Sequence, residues 1–236
     1  MSDGEEEIVE TRWVLEERAA RGELARAHIR GVHAPDVDLA SSDLGGARIE
    51  RAALAGAELV GARFDGARVL GSDLRGVRAT GSLWASGLIQ DSDLTEADLA
   101  GAELLRCELG PAAMGRARLR RAAIRQCRFH AVELYGADFE AAVIVRCAFL
   151  GYEGQVASLA RVRFDRAALI DVDLAGVNLY GASFAGSLLV RCDLRHAVLA
   201  SADLRGARLV DCRTDDADTD GATIAATSEP GGLAPP

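Results

Sequence analysis

The stretch ADLAGAELLRCEL, which runs from Ala97 to Leu109, repeats one pattern every five residues. A leucine stands at Leu99, Leu104 and Leu109, and a small residue lies two places before each of them. A helix repeats about every 3.6 residues and a strand about every 2, so neither element produces a period of five. The stretch therefore predicts an array of short structural repeats.

The same register extends outward from this stretch, from Leu39 to Leu209. The residue between the small position and the apolar centre is usually polar, as at Asp98, so each triplet reads as a very short strand with an inward, outward, inward pattern. The next two residues must turn a corner, and the second is often glycine, which tolerates left-handed backbone. Strands this short satisfy their backbone groups only by stacking in parallel, coil upon coil.

Units such as Ala97-Asp98-Leu99 resemble the pentapeptide-repeat family, whose motif is A(D/N)LXX. The resemblance covers about residues 37–225, and weaker units precede it at Leu24, Ile29 and Ala34. It implies an all-β fold, a right-handed quadrilateral parallel β-helix with four repeats in each coil.

The cysteines test this geometry, since all five occupy the small inward position: Cys107, Cys127, Cys147, Cys192 and Cys212. Their spacings are one coil each, apart from an interval of two coils plus one repeat between Cys147 and Cys192. The repeat pattern breaks within this interval, near residues 150–156. If one repeat is extruded there as a loop, the five thiols form one core ladder, and Tyr135 and Tyr180 share an outer face two coils apart.

Three segments follow from the pattern. Residues 1–22 form an acidic N-terminal segment, in which residues 5–21 read as an amphipathic helix with Ile8, Leu15 and Ala19 in one stripe and Trp13 beside it. We expect this helix to cap the open end of the β-helix; a docking helix for a partner is the alternative. Residues 23–225 form the β-helix, and residues 226–236 read as a disordered tail.

The chain has a net charge of -9, but its central part is balanced. Acids dominate residues 1–36 and 211–236, whereas residues 109–132 contain six arginines and no acid: Arg116, Arg118, Arg120, Arg121, Arg125 and Arg128. The first residues lack the apolar core of a signal peptide, and no apolar run is long enough to span a bilayer. We therefore expect a cytoplasmic protein without membrane contact.

The sequence shows no catalytic constellation. Its four histidines are scattered over outward positions, and its cysteines face a packed interior without a Cys-x-x-Cys pair. Small buried hydrophobes are the expected role of these cysteines. The sequence also lacks both nucleotide-binding glycine motifs, GxxxxGK[ST] and GxGxxG. We expect a protein without enzymatic activity, cofactor or metal.

A rigid scaffold that binds another protein is the function we expect, because charges held in register suit recognition of a surface. The features that interrupt the regular surface are the loop and the arginine-rich coil, although these arginines are also explained as surface charge balanced by neighbouring coils. The candidate contact residues are Tyr152, Glu153, Arg118, Arg120, Arg121, Tyr135 and Tyr180.

Two alternatives come from resemblance. Some pentapeptide-repeat proteins mimic DNA and bind DNA gyrase or topoisomerase IV, which protects against gyrase poisons. The acidic residues 37–108 favour this alternative, but a duplex mimic needs a continuous negative stripe, and the arginines interrupt it. The opening LEERAARGELARAHI, from Leu15 to Ile29, also resembles proteins encoded beside bacterial type VI secretion genes, which implies an accessory or effector protein of such a system as the further alternative. In each case we expect a protein partner, no direct nucleic-acid binding, and a monomer or an end-to-end dimer.

Overall fold

The computed structural model describes residues 8–151 and 156–223. In chain order the elements are β1 (Ile8–Val9), α1 (Arg12–Arg21), β2 (His28–Arg30), β3 (Arg48–Glu50), β4 (Arg68–Leu70), β5 (Leu83–Ala85), β6 (Leu88–Gln90), β7 (Ser92–Asp93), β8 (Glu103–Leu105), β9 (Glu108–Leu109), β10 (Ala112–Ala113), β11 (Ala123–Arg125), β12 (Arg128–His130), β13 (Val132–Glu133), β14 (Val143–Val145), β15 (Ala148–Leu150), β16 (Ala168–Ile170), β17 (Leu188–Val190) and β18 (Arg208–Val210).

These strands pair in parallel, each with the strand one coil away. Ile49 of β3 lies opposite Val69 of β4, and Leu104 of β8 lies opposite Ile124 of β11, so one coil takes 20 residues. Four repeats of five residues fill that length, which makes the coil four-sided. The structure is thus the parallel β-helix that the five-residue period predicts.

Each side of the coil is a face of the molecule, and we name the four faces in chain order. The thiol face is the eight-stranded sheet β1-β2-β3-β4-β6-β9-β12-β15. The tyrosine face contains the sheet β7-β10-β13 and the outward residues Tyr135 and Tyr180. The arginine face is held by isolated parallel bridges such as Asp98 to Arg118. The valine face is the seven-stranded sheet β5-β8-β11-β14-β16-β17-β18, and it lies opposite the tyrosine face.

The inward positions form one continuous core. Aromatic centres stack between coils: the ring centroids of Phe64 and Trp84 are 3.8 Å apart, and those of Phe129 and Phe149 are 4.6 Å apart. The buried hydroxyl of Ser72 accepts the backbone N–H of Ala52 and donates to the backbone, so it links adjacent coils. Within the described residues, no buried side-chain polar atom lacks a hydrogen-bond partner.

Within the described ranges the register changes once, beside residues 152–155. Val143 pairs with Ala168 and Asp138 pairs with Arg163, a step of 25 residues where other coils have 20. The backbone N–H of Ala131 still bonds Leu150 with the shorter step, whereas Leu134 bonds Ser158 with the longer one. Five residues, 152–156, are therefore added between Gly151 and Ala157, at the corner between the thiol face and the tyrosine face.

The N-terminal helix is shorter than the sequence pattern suggests. It begins at Arg12, where the hydroxyl of Thr11 accepts the N–H of Val14, and it ends at the left-handed residue Gly22. The predicted helix start at residue 5 is wrong, and so is the place of Ile8 in its apolar stripe, because Ile8 belongs to β1 and pairs with His28.

Only part of the expected stripe faces the core. Leu15 is fully buried and Ala19 packs partly against the core, whereas Trp13 is 68% exposed. Val9 extends the thiol face by one strand and is fully buried. The first coil is therefore covered by a strand and a helix together, and not by a helix alone. This helix is too short and too polar to cross a membrane, and no other helix of the described residues meets that requirement.

Candidate protein-binding surface

The interior leaves no room for chemistry in the described part of the chain. Centres and small residues fill it, and no group of three or more metal-ligating side chains is found among the described residues. Any function that the geometry supports must therefore use the outward side chains.

The five cysteines lie in one inward column of the thiol face, with Val172 in the coil between Cys147 and Cys192. The backbone N–H of Cys107 lies 3.4 Å from Sγ of Cys127, and the N–H of Cys127 lies 3.4 Å from Sγ of Cys147. Each thiol also donates to a carbonyl of the preceding coil, as Cys107 does to Trp84 at 3.2 Å. These contacts make the thiols connectors between coils.

Burial and the hydrogen bonds within this column give its thiols different pKa values. The hydrogen bond with Cys127, together with desolvation, raises the pKa of Cys107 above its ordinary value. At the C-terminal end, the hydrogen bond from Cys192 lowers the pKa of Cys212 to about 7. Cys212 is also partly exposed, whereas the other four are buried.

The six arginines of residues 109–132 are distributed around the coil. Arg118 and Arg120 lie on the arginine face and Arg121 at its corner with the valine face, whereas Arg125 lies on the valine face and Arg128 on the thiol face. Four of the six pair with acids one coil away: Arg116 with Glu96, Arg118 with Asp98, Arg120 with Asp138 and Glu140, and Arg128 with Glu108. Much of this basic charge is thus neutralised by neighbouring coils.

The arginine face carries a column of alternating charge. In successive coils its central outward residues are Glu58, Arg78, Asp98, Arg118, Asp138 and Arg163. Beside this column, Glu140 is only 8% exposed and pairs with Arg120, Arg163 and Arg166. This dense network of opposite charges fixes the arginine side chains in position.

Arg121 adjoins this network but makes no ion pair within the described residues. It lies on the corner between the arginine face and the valine face and lines a shallow depression with Arg120, Glu140 and Arg166. Of the three predicted contact arginines, Arg121 therefore has the guanidinium that is most available to a partner.

The two predicted tyrosines share one outward column of the tyrosine face. Ala160 lies between them in the stack, so Tyr135 and Tyr180 are two coils apart, about 10 Å at the usual strand spacing. Each is 47% exposed. The guanidinium carbon of Arg161 lies 5.9 Å from the ring centroid of Tyr135, within the range of a cation–π contact.

The predicted contact residues Tyr152 and Glu153 lie outside the described residues. Their anchor residues are described: Gly151 ends a coil, and Ala157 begins the strand position that follows Val132 on the tyrosine face. The structure thus brings Tyr135, Tyr180 and the base of the loop to one face. Arg118, Arg120 and Arg121 lie on the next face, across a corner that carries Arg116 and Arg161.

Sequence reasoning misses the valine face. In β14, β16 and β17, which are successive strands of this face, both outward residues are apolar, unlike the polar outward residues of most repeats. The signal is present in the triplets VIV, ALI and LLV, in which the centre is apolar and so are both of its neighbours.

Comparisons with known proteins agree with the repeat fold. A protein-family model described as pentapeptide repeats matches residues 42–81, 157–187 and 178–213, in eight copies. A search of curated proteins by sequence finds no match.

Two solved structures are similar to this chain, and the likeness to the first shows the same fold. QnrB1, a plasmid-mediated fluoroquinolone resistance protein, is 18% identical with a TM-score of 0.55, over 80% of this chain and 94% of its own. HetL, a pentapeptide-repeat protein involved in heterocyst differentiation regulation from the cyanobacterium Nostoc sp. strain PCC 7120, is 21% identical with a TM-score of 0.46, over 89% of this chain and 95% of its own. The family match, the five-residue register and the four-sided coil together identify the chain as a member of the pentapeptide-repeat family.

Proposed function

We propose that this protein is a rigid, non-enzymatic scaffold that binds another protein along the edge between its tyrosine and arginine faces. The observation that carries the proposal is the pair of half-exposed tyrosines, Tyr135 and Tyr180, held two coils apart beside Arg161. Tyrosine and arginine are the residue types that contribute most to protein interfaces. A stacked coil also holds them without the ordering cost of a flexible loop.

The arginine face supplies the polar part of this surface. Its paired arginines give fixed charge, and Arg121, at the far corner of this face, gives a guanidinium without an acidic partner in the described residues. An acidic patch beside an apolar or aromatic pocket is therefore the partner chemistry that this edge suits. Gly151 and Ala157 place the base of the loop in the coil of Ala160, between the coils of Tyr135 and Tyr180, and we propose that Tyr152 and Glu153 add to the same contact.

The charge pattern does not favour mimicry of duplex DNA. In the described residues, none of the four central outward columns carries acids on more than two successive coils. On the arginine face Arg78, Arg118 and Arg163 interrupt the acids. A duplex presents one negative charge per ~1.7 Å of its axis, and this surface has no comparable stripe. We therefore expect the protein to leave DNA supercoiling by gyrase unchanged and to give no protection from a fluoroquinolone. Protection from the drug would instead support binding to gyrase and contradict the proposed contact edge.

Capture experiments with matched variants test the scaffold. The wild type, a Tyr135→Ser Tyr180→Ser double variant and a Val60→Ser control are immobilised, and bound proteins are quantified by mass spectrometry. Val60 is a suitable control because it is also an exposed apolar residue, 42% exposed, and lies on the arginine face three coils before Arg120, away from the tyrosine pair.

We expect at least one protein to be retained by the wild type and the control and lost by at least tenfold from the double variant. Loss of that size matches removal of two interface hot spots. Equal capture by all three baits, with all three folded, would contradict the proposed contact edge.

A further inference from the structure

The outward side of the valine face is an apolar stripe within an otherwise polar surface. From β8 to β18 the apolar outward residues along it are Leu105, Ala123, Val143, Val145, Ala168, Ile170, Leu188, Val190 and Val210. All of these are partly or largely accessible, and Val143 is 39% exposed. The stripe is uninterrupted from Val143 to Val210, whereas the exposed Arg125 of β11 separates Leu105 from Val145 in its column. The stripe from Leu105 to Val210 covers five coil steps, about 24 Å at the usual strand spacing. Contiguous apolar surface of this kind on a folded protein marks an interaction site.

Charged residues border the stripe in an order that changes sign along the axis. The corner column beside it reads Arg106, Gln126, Arg146, Asp171, Arg191 and Asp211 from one end to the other. The other border is the outward column formed by the first residue of each strand, and it begins with Glu103 in β8 and ends with Arg208 in β18. Each border therefore carries one charge at its first coil and the opposite charge at its last.

A surface whose charges reverse from end to end is complementary to an antiparallel copy of itself. We propose that two copies of this chain pair face to face through their valine faces, with their coil axes antiparallel. The two-fold axis lies along the strands, between β14 and β16. In such a pair every residue meets the residue at the mirrored level of the same column, as an isologous interface requires.

This arrangement matches the apolar centre and the charged ends of the face. Between them Arg125 of one copy meets Val190 of the other, where the stem of the arginine packs and its guanidinium stays in water. Val143 of one copy meets Ala168 of the other, and Val145 meets Ile170, so the centre is apolar. At the two ends Glu103 meets Arg208. In the corner column Arg106 meets Asp211 and Arg146 meets Asp171. Apolar centre and paired polar border are the usual anatomy of a protein interface.

Other arrangements of the same two faces are less complementary. Sliding one copy by a single coil in either direction brings Arg191 opposite Arg146 or Arg106. A parallel arrangement sets Glu103 against Leu105 and Arg208 against Val210, which buries charge against apolar side chains. Charge complementarity thus selects one register and one direction.

The ends of the face have groups available for contacts between chains. Arg106 and Glu103 are exposed, and neither makes an ion pair within the described residues. In the middle, Asp171 already pairs with Arg191 at 2.7 Å and lies 4.0 Å from Arg146. A face six coils high and one strand wide lies near the ~1,200 Å² lower limit for specific interfaces. We therefore expect a dimer that dissociates on dilution.

Sedimentation equilibrium across the micromolar range tests the pairing first. We expect the wild type to rise from the mass of one chain to that of two as concentration increases. Ala168→Glu should abolish this rise, because it buries a carboxylate at the centre of the interface. Ala55→Glu, the same change at a partly exposed position of the tyrosine face, should dimerise as the wild type does. A wild type that stays monomeric at every concentration overturns the proposal, as does a folded Ala168→Glu variant that still dimerises.

Exchange of charge between chains then tests the register. Arg106→Asp alone places acid against acid at both ends of the dimer, and Asp211→Arg alone places arginine against arginine. Each variant should dimerise at least tenfold more weakly than the wild type. An equimolar mixture of the two should recover wild-type affinity, because the heterodimer has opposite charges at both ends. Residues 106 and 211 are five coils apart in one chain, so recovery reports contact between chains only; failure to recover in folded variants excludes this register.

Discussion

At the residue scale, the direction of a side chain decides its role more than its type does. Leu179 is fully buried at a centre of the tyrosine face, whereas its neighbour Asn178 points outward and is only partly buried. The five-residue period predicts this difference from sequence alone. The same charge placed at these two adjacent positions should therefore destabilise the protein strongly at one and hardly at the other.

We expect Leu179→Asp to destabilise the fold by several kcal/mol, because a carboxylate would be buried in the stacked core without a partner. Asn178→Asp should change stability by less than about 0.5 kcal/mol, since the oxygen that accepts the N–H of Tyr180 is kept. Urea denaturation of both variants measures the difference. Similar losses of stability in the two would show that the inward register is assigned incorrectly.

Backbone geometry at the corners gives a second contrast. The second corner residue has positive φ whether it is glycine or not, as at Gly101 with φ 67° and Arg121 with φ 57°. A Cβ atom on Gly101 would meet nothing within 4 Å, so Gly101→Ala should cost only about 1 kcal/mol for the left-handed conformation.

Gly110 differs because the neighbouring coil touches it. A Cβ atom there would lie 1.6 Å from the carbonyl oxygen of His130, and φ is 130°. We expect Gly110→Ala to destabilise the protein by at least about 2 kcal/mol more than Gly101→Ala, since backbone atoms must move. Thermal unfolding of the two variants compares them directly, and equal melting temperatures would contradict the close approach of these coils.

At the element scale, the cysteine column can be tested by thiol chemistry. The four buried thiols should resist an aromatic disulfide reagent in the folded protein, whereas Cys212 should react near neutral pH, because its pKa is lowered to about 7. We expect one fast thiol per folded chain and all five after denaturation. Cys212→Ser should remove the fast reaction, and a second fast thiol would contradict the assigned burial.

The elements also show where sequence reasoning is limited. The period of five predicts each strand, because burial of the centres is a local property of the repeat. The sequence predicts the helix start too early because the acidic residues before Thr11 are compatible with a helix. In the structure, Ile8 and Val9 form a strand instead, and Val9 pairs with Ile29. That pairing depends on a coil that follows 20 residues later, which no local pattern reveals.

At the scale of the whole molecule, the sequence predicts the four-sided coil and the positions that face outward. It does not show the valine face as one patch, because Val143 and Ala168 become neighbours only through the 25-residue step. The same step does let the sequence predict that Tyr135 and Tyr180 share an outer face, and the structure confirms this. The arginine-rich segment is divided: half of its arginines lie away from the arginine face and its corner with the valine face.

Stability of the whole coil should fall in acid. Hydrogen bonds from arginine lower the pKa of Asp73, Asp171, Asp193 and Asp203 below their usual values. A folded-state pKa below the unfolded value means that the unfolded chain takes up protons first, so their stabilisation is complete above the unfolded pKa and is lost as pH falls through the folded one. We expect the unfolding free energy to decrease from about pH 5 to about pH 2.

Arg195→Gln provides the matched variant for this effect. Arg195 lies 2.8 Å from Asp193 and is the largest cause of its lowered pKa. Without it the carboxyl should titrate closer to its normal range, so the variant should lose less stability between neutral and acid pH than the wild type does. Denaturation curves at several pH values measure the two slopes, and identical slopes would exclude a role for this pair.

The central claim is that one stacked, four-sided coil with a single added repeat organises the entire surface. Anomalous scattering from sulfur in a crystal tests it most directly, because the five cysteines mark five coils. We predict five collinear peaks, with intervals of about 4.8 Å between Cys107, Cys127 and Cys147, about 9.6 Å from Cys147 to Cys192, and about 4.8 Å to Cys212. Peaks that fall off one line, or a Cys147–Cys192 interval that is not close to two coils, would contradict the account.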